Sequence, residues 1–328
     1  MIKKQWGVES NLALMIVLVT TILAFSAPGF WSWQNIFDLF NASAVNMIFA
    51  VGLVVVLIIG GIDISFSVGA SVIQYISLYF AIQMGMTGPI MVSILALSTG
   101  LVLGCLNATF IYGFRIVSII VTIATFNIFF GLLMFFTNGR SIWDIPDWLY
   151  NRHPILQIDT VFGNATLHLP IAMMIVMATI TYYVLCCTGF GRQLYGYGSN
   201  PEAATREGVS GWKVHLFAYG WLGICAAVAG IMQVHIVREV VPNALYGREF
   251  DVLAAVVLGG ATLGGGKGSV IGALLGVLFL SLLQNGMNLL GVSPYAFRVI
   301  VGVVILVAIT GINWRQLQEN LNIGGGRS

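Results

Sequence analysis

An all-α integral membrane protein with about ten transmembrane helices is the fold class this sequence predicts, on three observations. Hydrophobic residues make up 58% of the 328 positions and charged residues 8%, with a mean hydropathy of +0.94. A soluble domain carries about 25% charged residues, so this chain cannot cover itself with polar surface. The apolar residues also come in long unbroken runs, such as 171–187. A membrane barrel would alternate apolar and polar residues instead.

A helical span needs about 20 apolar residues, and the runs place ten of them: 11–27, 44–62, 67–84, 89–111, 116–136, 170–188, 214–234, 251–263, 269–290 and 296–312. The first follows Lys3 and Lys4, has no small-x-small cleavage site after it, and leads into Pro28-Gly29-Phe30-Trp31, a turn suited to the membrane interface; it reads as a retained span. The eighth is short and ends in glycines. With the N-terminus inside, nine Lys and Arg fall on the inner side (Lys3, Lys4, Arg115, Arg192, Arg206, Lys213, Lys267, Arg315, Arg327) against five outside (Arg140, Arg152, Arg238, Arg248, Arg298). This excess predicts that both termini are cytoplasmic. Residues 1–328 then form one membrane domain with two long loops. The loop 137–169 lies on the periplasmic side, where Trp143, Trp148 and Tyr150 suit the interface. The loop 189–213 is cytoplasmic.

Several chemistries are excluded. Cys105, Cys186, Cys187 and Cys225 lie in apolar runs without C-x-x-C spacing, and His153, His168, His215 and His235 share no ligand spacing, so neither a metal nor a disulfide is expected. No nucleophile–base set or acid cluster marks an enzyme, and no catalytic residue is assigned. No nucleic-acid partner is expected. The stretch GGATLGGGKGS at 259–269 resembles a phosphate-binding loop, but Ala261 stands where the first Gly belongs and Gly268 follows Lys267 where a hydroxyl belongs. It reads better as a break between two helices. Gly60-Gly61 followed by Gly69, and Gly259-Gly260 followed by Gly268, share one spacing after matching apolar runs, VVVLIIGG and AAVVLGG. Broken helices at corresponding points of two halves are a transporter device.

Polar residues inside the spans are candidates for lining a solute path. Asp63 is the acid with no basic residue near it in sequence, and a carboxylate in a membrane is costly enough to read as functional; capping the following helix is the competing role. Asn107, Asn127, Gln284, Asn285 and Asn288 carry amides, which donate and accept and so suit hydroxyls, but also serve as glue between helices. In the inner loop, Asn200 is placed to cap a helix, Pro201 suits its first turn, Glu202 complements its dipole and Gly208 ends it. A helix of about two turns is predicted there.

Glu202-Ala203-Ala204, three residues, then Gly208 resembles the EAA loop of importer-type ABC permeases, although the Ile-x-Leu-Pro that closes that pattern is absent. With GGIDIS at 60–65, the stretch 198–209, LGGATLGGGKGSVIGALLG at 258–276 and NGMNLLGVS at 285–293, the chain resembles the ribose/xylose-type sugar permeases of bacterial binding-protein-dependent ABC importers, over nearly its whole length. It departs from them at GGIDISFSVGAS, which is lengthened against the family's Gly-Gly-Ile-Asp-Leu-Ser-Val-Gly-Ser. The resemblance implies a multi-pass protein of the bacterial inner membrane that passes a sugar or sugar-like solute into the cell by alternating access. It implies an ATPase subunit that binds ATP in the permease's stead and docks on Asn200, Glu202, Ala203, Ala204 and Gly208, a second permease copy or paralogue, and a periplasmic solute-binding protein. Membrane lipid surrounds it, and no cofactor is expected in this chain. The alternative is an ion-coupled secondary transporter, which needs buried titratable groups.

Overall fold

In the computed structural model the described residues are 6–152, 154–160, 163–293, 295–296, 299–303 and 306. Twelve α-helices are laid out among them: α1 (Trp6–Ser26), α2 (Trp33–Ile58), α3 (Phe66–Gln83), α4 (Pro89–Ala108), α5 (Ser118–Thr137), α6 (Asp147–Tyr150), α7 (Leu169–Cys187), α8 (Gly189–Ser199), α9 (Pro201–Arg206), α10 (Gly211–Val237), α11 (Arg248–Leu258) and α12 (Val270–Leu289). Eight are long and apolar enough to cross a membrane: α1 to α5, α7, α10 and α12. The span expected at 251–263 is instead the 11-residue α11, because Gly259-Gly260 ends it early. At 1.5 Å per residue it reaches about 16 Å, half of a hydrocarbon core of about 30 Å. The span expected at 296–312 falls largely outside the described residues.

Helix α2 is the axis. From Ala44 to Ile58 every residue except Asn46 is buried, although the helix is apolar all round. Such a helix belongs inside a bundle rather than against lipid. It starts eleven residues before the apolar run at 44, because Ser32 accepts from the Asn35 amide and launches a polar first half. Helices α7, α10, α11 and α12 pack around it, and α10 packs in turn on α3 and α4. Lipid supplies no hydrophobic drive between helices, so their association rests on close packing by small residues. Gly100 and Gly104 of α4 lie directly on the backbone of Gly223 and Tyr219 in α10, with no room for a Cβ.

The loop 137–169 is more than an interfacial strip. It holds α6 and a hairpin of β1 (Leu156–Thr160) and β2 (Gly163–Leu167), paired antiparallel from Leu156↔Leu167 to Thr160↔Gly163. The Asn41 amide of α2 pins it, donating to the Thr166 carbonyl at 2.8 Å while its Oδ1 accepts from the His168 amide at 3.1 Å. Leu149 is fully buried, and the Trp148 indole donates to the Thr87 carbonyl at 2.9 Å.

Candidate functional site

Two helices end in the same way. Ile58 closes α2, and Gly60 at φ +84° lets the Gly60 and Gly61 amides fold back onto the carbonyls of Leu57 and Val56. Leu258 closes α11, and Gly260 at φ +97° sends the Gly260 and Ala261 amides back onto Val257 and Val256. Each is a left-handed glycine cap that uses up two orphan carbonyls. The equivalence is therefore Gly60 with Gly260 and Gly61 with Ala261, one position off the match of Gly60-Gly61 to Gly259-Gly260. The pairing of Gly69 with Gly268 fails: Gly69 sits in the first turn of α3, whereas Gly268 lies in the break just before α12. The first break runs 59–65 and the second 259–269, where Ser269 caps α12 by accepting from the Gly272 amide at 2.9 Å.

The breaks touch each other, and the segment 189–208 touches both. The Gly266 amide donates to the Ile58 carbonyl at 2.8 Å. A Cβ on Gly265 would overlap Gly60 and the Gly198 carbonyl. Gly198 belongs to α8, an 11-residue helix capped by Thr188, whose hydroxyl accepts from the Gly191 amide at 3.0 Å. Leu194 and Tyr197 of α8 are buried, and the Tyr195 hydroxyl donates to the Gly268 carbonyl at 2.8 Å. Burial pushes the Tyr195 phenol up, so it stays a donor at any physiological pH. This helix was not legible as such, because four of its eleven residues are glycine.

Helix α9 follows directly. Asn200 accepts from the Ala203 amide at 3.0 Å, Pro201 opens the helix, and Gly208 at φ +86° closes it with amides of Gly208 and Val209 on the carbonyls of Thr205 and Ala204. Glu202, Ala203, Thr205 and Arg206 are exposed. Ala204 is not: at 8% exposure it belongs to the chain's own core, which corrects the expectation that Ala203 and Ala204 both face outward. A third of a turn separates the two, so they cannot share one face. Between α8, the start of α10 and a π-helical turn at Thr109–Gly113 lies an open cleft of about 600 Å³ lined by Tyr112, Arg115, Tyr197, Trp212 and His215.

Asp63 sits in the first break and is buried, 3% exposed. Its Oδ1 accepts from the Ser65 amide and the Ser65 hydroxyl, each at 2.7 Å, and its Oδ2 accepts from Asn107 Nδ2 at 3.3 Å. Asn107 also donates to Ser65 Oγ at 2.8 Å. The carboxylate thus knots the break to α4 and turns the chain into α3. Asn285 makes a reciprocal amide pair with Asn35 of α2, at 2.8 and 3.1 Å. Asn127 bonds back to its own helix at the Ile123 carbonyl, 2.8 Å away, and is exposed, as are Gln284 and Asn288. The six polar candidates do not converge on one point. Asp63→Ala is expected to lower the thermal midpoint of the purified protein by more than 5 °C, since it strands two Ser65 donors and one Asn107 donor at about 1–3 kcal/mol each. Asp63→Asn, which keeps one acceptor, is expected to cost a small fraction of that. Equal midpoints for wild type and Asp63→Ala would show that the knot holds nothing.

A second polar group was missed in the sequence. Ser67, Ser71, Gln74 and Ser77 recur along α3 at spacings of four, three and three, and all are buried. The Ser67 hydroxyl donates to Glu249 Oε2, which also accepts from the Gly247 amide at 3.0 Å. Gln74 Nε2 donates to the Val241 carbonyl at 3.1 Å. The signal was available: α3 is the least apolar of the eight candidate spans, and its polar residues keep helical spacing. Among the described residues no group of three His, Cys, Asp or Glu side chains is placed to hold a metal ion.

The family model described as "branched-chain amino acid transport system / permease component" matches residues 35–309. The ribose import permease protein RbsC of Escherichia coli (strain K12) is 33% identical over 321 residues, covering 95% of this chain and 96% of that protein. The RbsC of Bacillus subtilis (strain 168) is 33% identical over 90% of each chain. The autoinducer 2 import system permease protein LsrC of Yersinia pseudotuberculosis is 29% identical over 91% of this chain and 82% of that one. No solved structure matches the chain. With two glycine-broken helices at the centre of a bundle of apolar spans, this chain is a multi-pass membrane protein and belongs to the permease family of ABC importers, in the branch that holds the ribose import permeases.

Proposed function

We propose that this permease imports a sugar or sugar-like neutral solute, driven by ATP that a separate ATPase subunit binds and hydrolyses. The observation that carries the reading is α9: a doubly capped, two-turn helix with an exposed outer face, joined through α8 to the point where both helix breaks meet. A push on α9 has a short rigid route through Leu194, Tyr197 and Gly198 to Gly60 and Gly265, the places where the two broken helices can tilt. Bistable packed elements of this kind turn small displacements into alternating access. The excess of Lys and Arg puts 189–213 in the cytoplasm, where an ATPase would dock, and 137–169 with its hairpin on the periplasmic side, where a solute-binding protein would deliver. A second permease copy or paralogue completes the pathway. Asp63 and Asn107 serve the fold through their mutual bond and Asn285 through its pair with Asn35, leaving Asn127, Gln284 and Asn288 as the candidates that are exposed. The ion-coupled alternative has no family support, since the relatives are ABC importer permeases.

The test is reconstitution in liposomes with radiolabelled ribose as the probe. Uptake is expected only when permease, ATPase, binding protein and ATP are all present. Uptake by the permease alone under a proton or sodium gradient would overturn the proposal.

A further inference from the structure

We propose that His168 and His235 form a pH-sensitive latch on the outer side of the permease: protonation of the pair releases α6 and the β1–β2 hairpin from the end of α10. The charge excess places these segments outside, and the latch is the same whatever solute the permease carries.

The pair joins three segments. His235 lies in the last turn of α10 at 2% exposure, and its Nδ1 is 3.0 Å from the Leu149 carbonyl of α6. A carbonyl only accepts, so Nδ1 carries the proton and neutral His235 has a bare Nε2. His168 sits between β2 and α7. Its Nε2 is 3.1 Å from the Thr166 hydroxyl, and its backbone amide donates to Asn41 Oδ1. The two rings meet edge to face with centroids 6.4 Å apart. His235 Nε2 and His168 Nδ1 are both buried with no hydrogen-bond partner among the described residues. Each ring is thus held by one nitrogen and idle at the other.

The surroundings suit the neutral pair. The charged groups that act on it are Arg152, which follows α6, Arg238, which follows α10, and Asp38 of α2. Two cations and one anion leave one positive charge in excess, and protonating both rings would add two more in a partly buried place. Burial, then Arg152, hold the His168 ring below the usual histidine range of about 6.5, against the opposing pull of Asp38. A cation at a helix C-terminus ordinarily gains from the dipole. Here Arg152 already takes that place, donating to the His235 and Ile236 carbonyls. Arg238 is drawn over the Tyr150 ring, 5.3 Å from its centroid. A protonated His235 would bring a second N–H, at Nε2, with no acceptor to meet it.

The fold therefore favours neutral rings, which fixes the sign of the pH dependence. The stabilisation is complete above about pH 6.5, where folded and unfolded rings are both neutral. It is lost as pH falls below that value, where the unfolded chain takes up protons that the folded one resists. The bonds decide what gives way. When the His235 ring leaves Leu149, α6 and the Arg152 that follows it lose their hold on the end of α10. When the His168 ring leaves Thr166, the end of β2 keeps the Asn41 bond and loses the ring that packs it toward α10. Helix α2 beneath carries no histidine and is buried from Ala44 on save for Asn46, so the release stays local.

The experiment is hydrogen exchange on the purified full-length permease between pH 7.5 and 5.0, with rates corrected for the intrinsic pH dependence of amide exchange. The amides of Leu149, Tyr150 and Asn151, which bond within α6, and those of the hairpin are expected to lose protection at least tenfold as pH falls from 7.5 to 5.5, with α2 unchanged. The double variant His168→Gln, His235→Asn keeps a donor toward Leu149 and a polar tip toward Thr166 but cannot take up a proton. It is expected to match wild type at pH 7.5 and to change less than twofold on acidification. A wild-type change below twofold, or a tenfold loss that survives in the double variant, would overturn the latch. Should the double variant fail to fold, carbon-13 NMR of labelled histidine in the otherwise native chain decides, with the pair assigned by elimination through His153→Gln and His215→Gln. Both rings are expected to titrate below about 6.5 in step with the loss of protection, and titration of both at or above that value would overturn the proposal. This readout needs neither solute nor partners, so it stands apart from the import reading.

Discussion

Gly198→Val yields no folded, transport-competent permease. The position is the keystone of the junction: its Cα faces the last carbonyl of α2, and a Cβ there would overlap Ile58 O and approach Gly266 N to 2.8 Å. The obstructing atoms are backbone, so no rotamer change relieves them. Adding even one methylene to a packed core costs about 1–3 kcal/mol, and more when the neighbours cannot move. Here the displaced groups also carry the bond from the Gly266 amide to the Ile58 carbonyl, which would be broken and left buried. The expected results are failure to purify as a monodisperse species, or a thermal midpoint lowered by more than 10 °C with ribose uptake at background. Gly196→Val is the control. It lies two residues earlier on the same helix, exposed, with nothing near its Cβ position, and it is expected to retain most of its stability and uptake. A Gly198→Val protein with wild-type midpoint and uptake would show that α8 does not clasp the two breaks.

How much of this junction could be read from the chain depends on which physical signal each part emits. The spans were legible because bilayer thickness imposes a length on apolar runs. Helix α9 was legible because caps are short-range chemistry: Asn200, Pro201 and Gly208 act on amides within a few residues. The glycine breaks announced themselves in the same way, since a left-handed cap at Gly60 or Gly260 needs glycine whatever it packs against. That the breaks lie against each other, and that Gly198 seals them, is long-range packing with no local mark. The hairpin at 156–167 hid because a two-stranded sheet is short, and the loop was read from its aromatic residues Trp143, Trp148 and Tyr150 instead. The role of Asp63 was split between cap and path, and its partner Asn107 lies 44 residues away, beyond the reach of any local signal. The polar stripe of α3 was passed over because three of its four members are serines, which count as neutral in an apolar run, and the single amide of Gln74 did not stand out among them. Glu249 was passed over because α11 was placed to start at 251, which left it in a loop.

Ala203→Trp is expected to uncouple ATP hydrolysis from uptake, while Ala204→Trp is expected to unfold the region that carries it. Both residues fall in the EAA resemblance, yet the structure separates them. Ala203 is exposed on α9, so a tryptophan there costs the isolated permease little and obstructs whatever docks on that face. Ala204 is buried in the core that also takes in Leu194 and Tyr197, so an indole there must displace α9 from α8. The first substitution is expected to lower ribose uptake at least tenfold with the permease's thermal midpoint within 2 °C of wild type. The second is expected to lower both. Glu202→Gln removes one charge from an exposed position, where an ion pair contributes about 0–1 kcal/mol, so its effect is expected to stay within about fivefold. Gly208→Ala keeps the small size but puts an L-residue at φ +86°, at a cost of about 1–2 kcal/mol, and is expected to fall between these. The measurement is ATPase rate and ribose uptake in the same proteoliposomes, with binding protein present, alongside the thermal midpoint of each purified variant. If an importer carrying Ala203→Trp hydrolyses ATP and takes up the labelled sugar at wild-type rates, the exposed face of α9 carries no partner, and coupling must enter elsewhere, with the cleft between Tyr112 and Trp212 the next place to block.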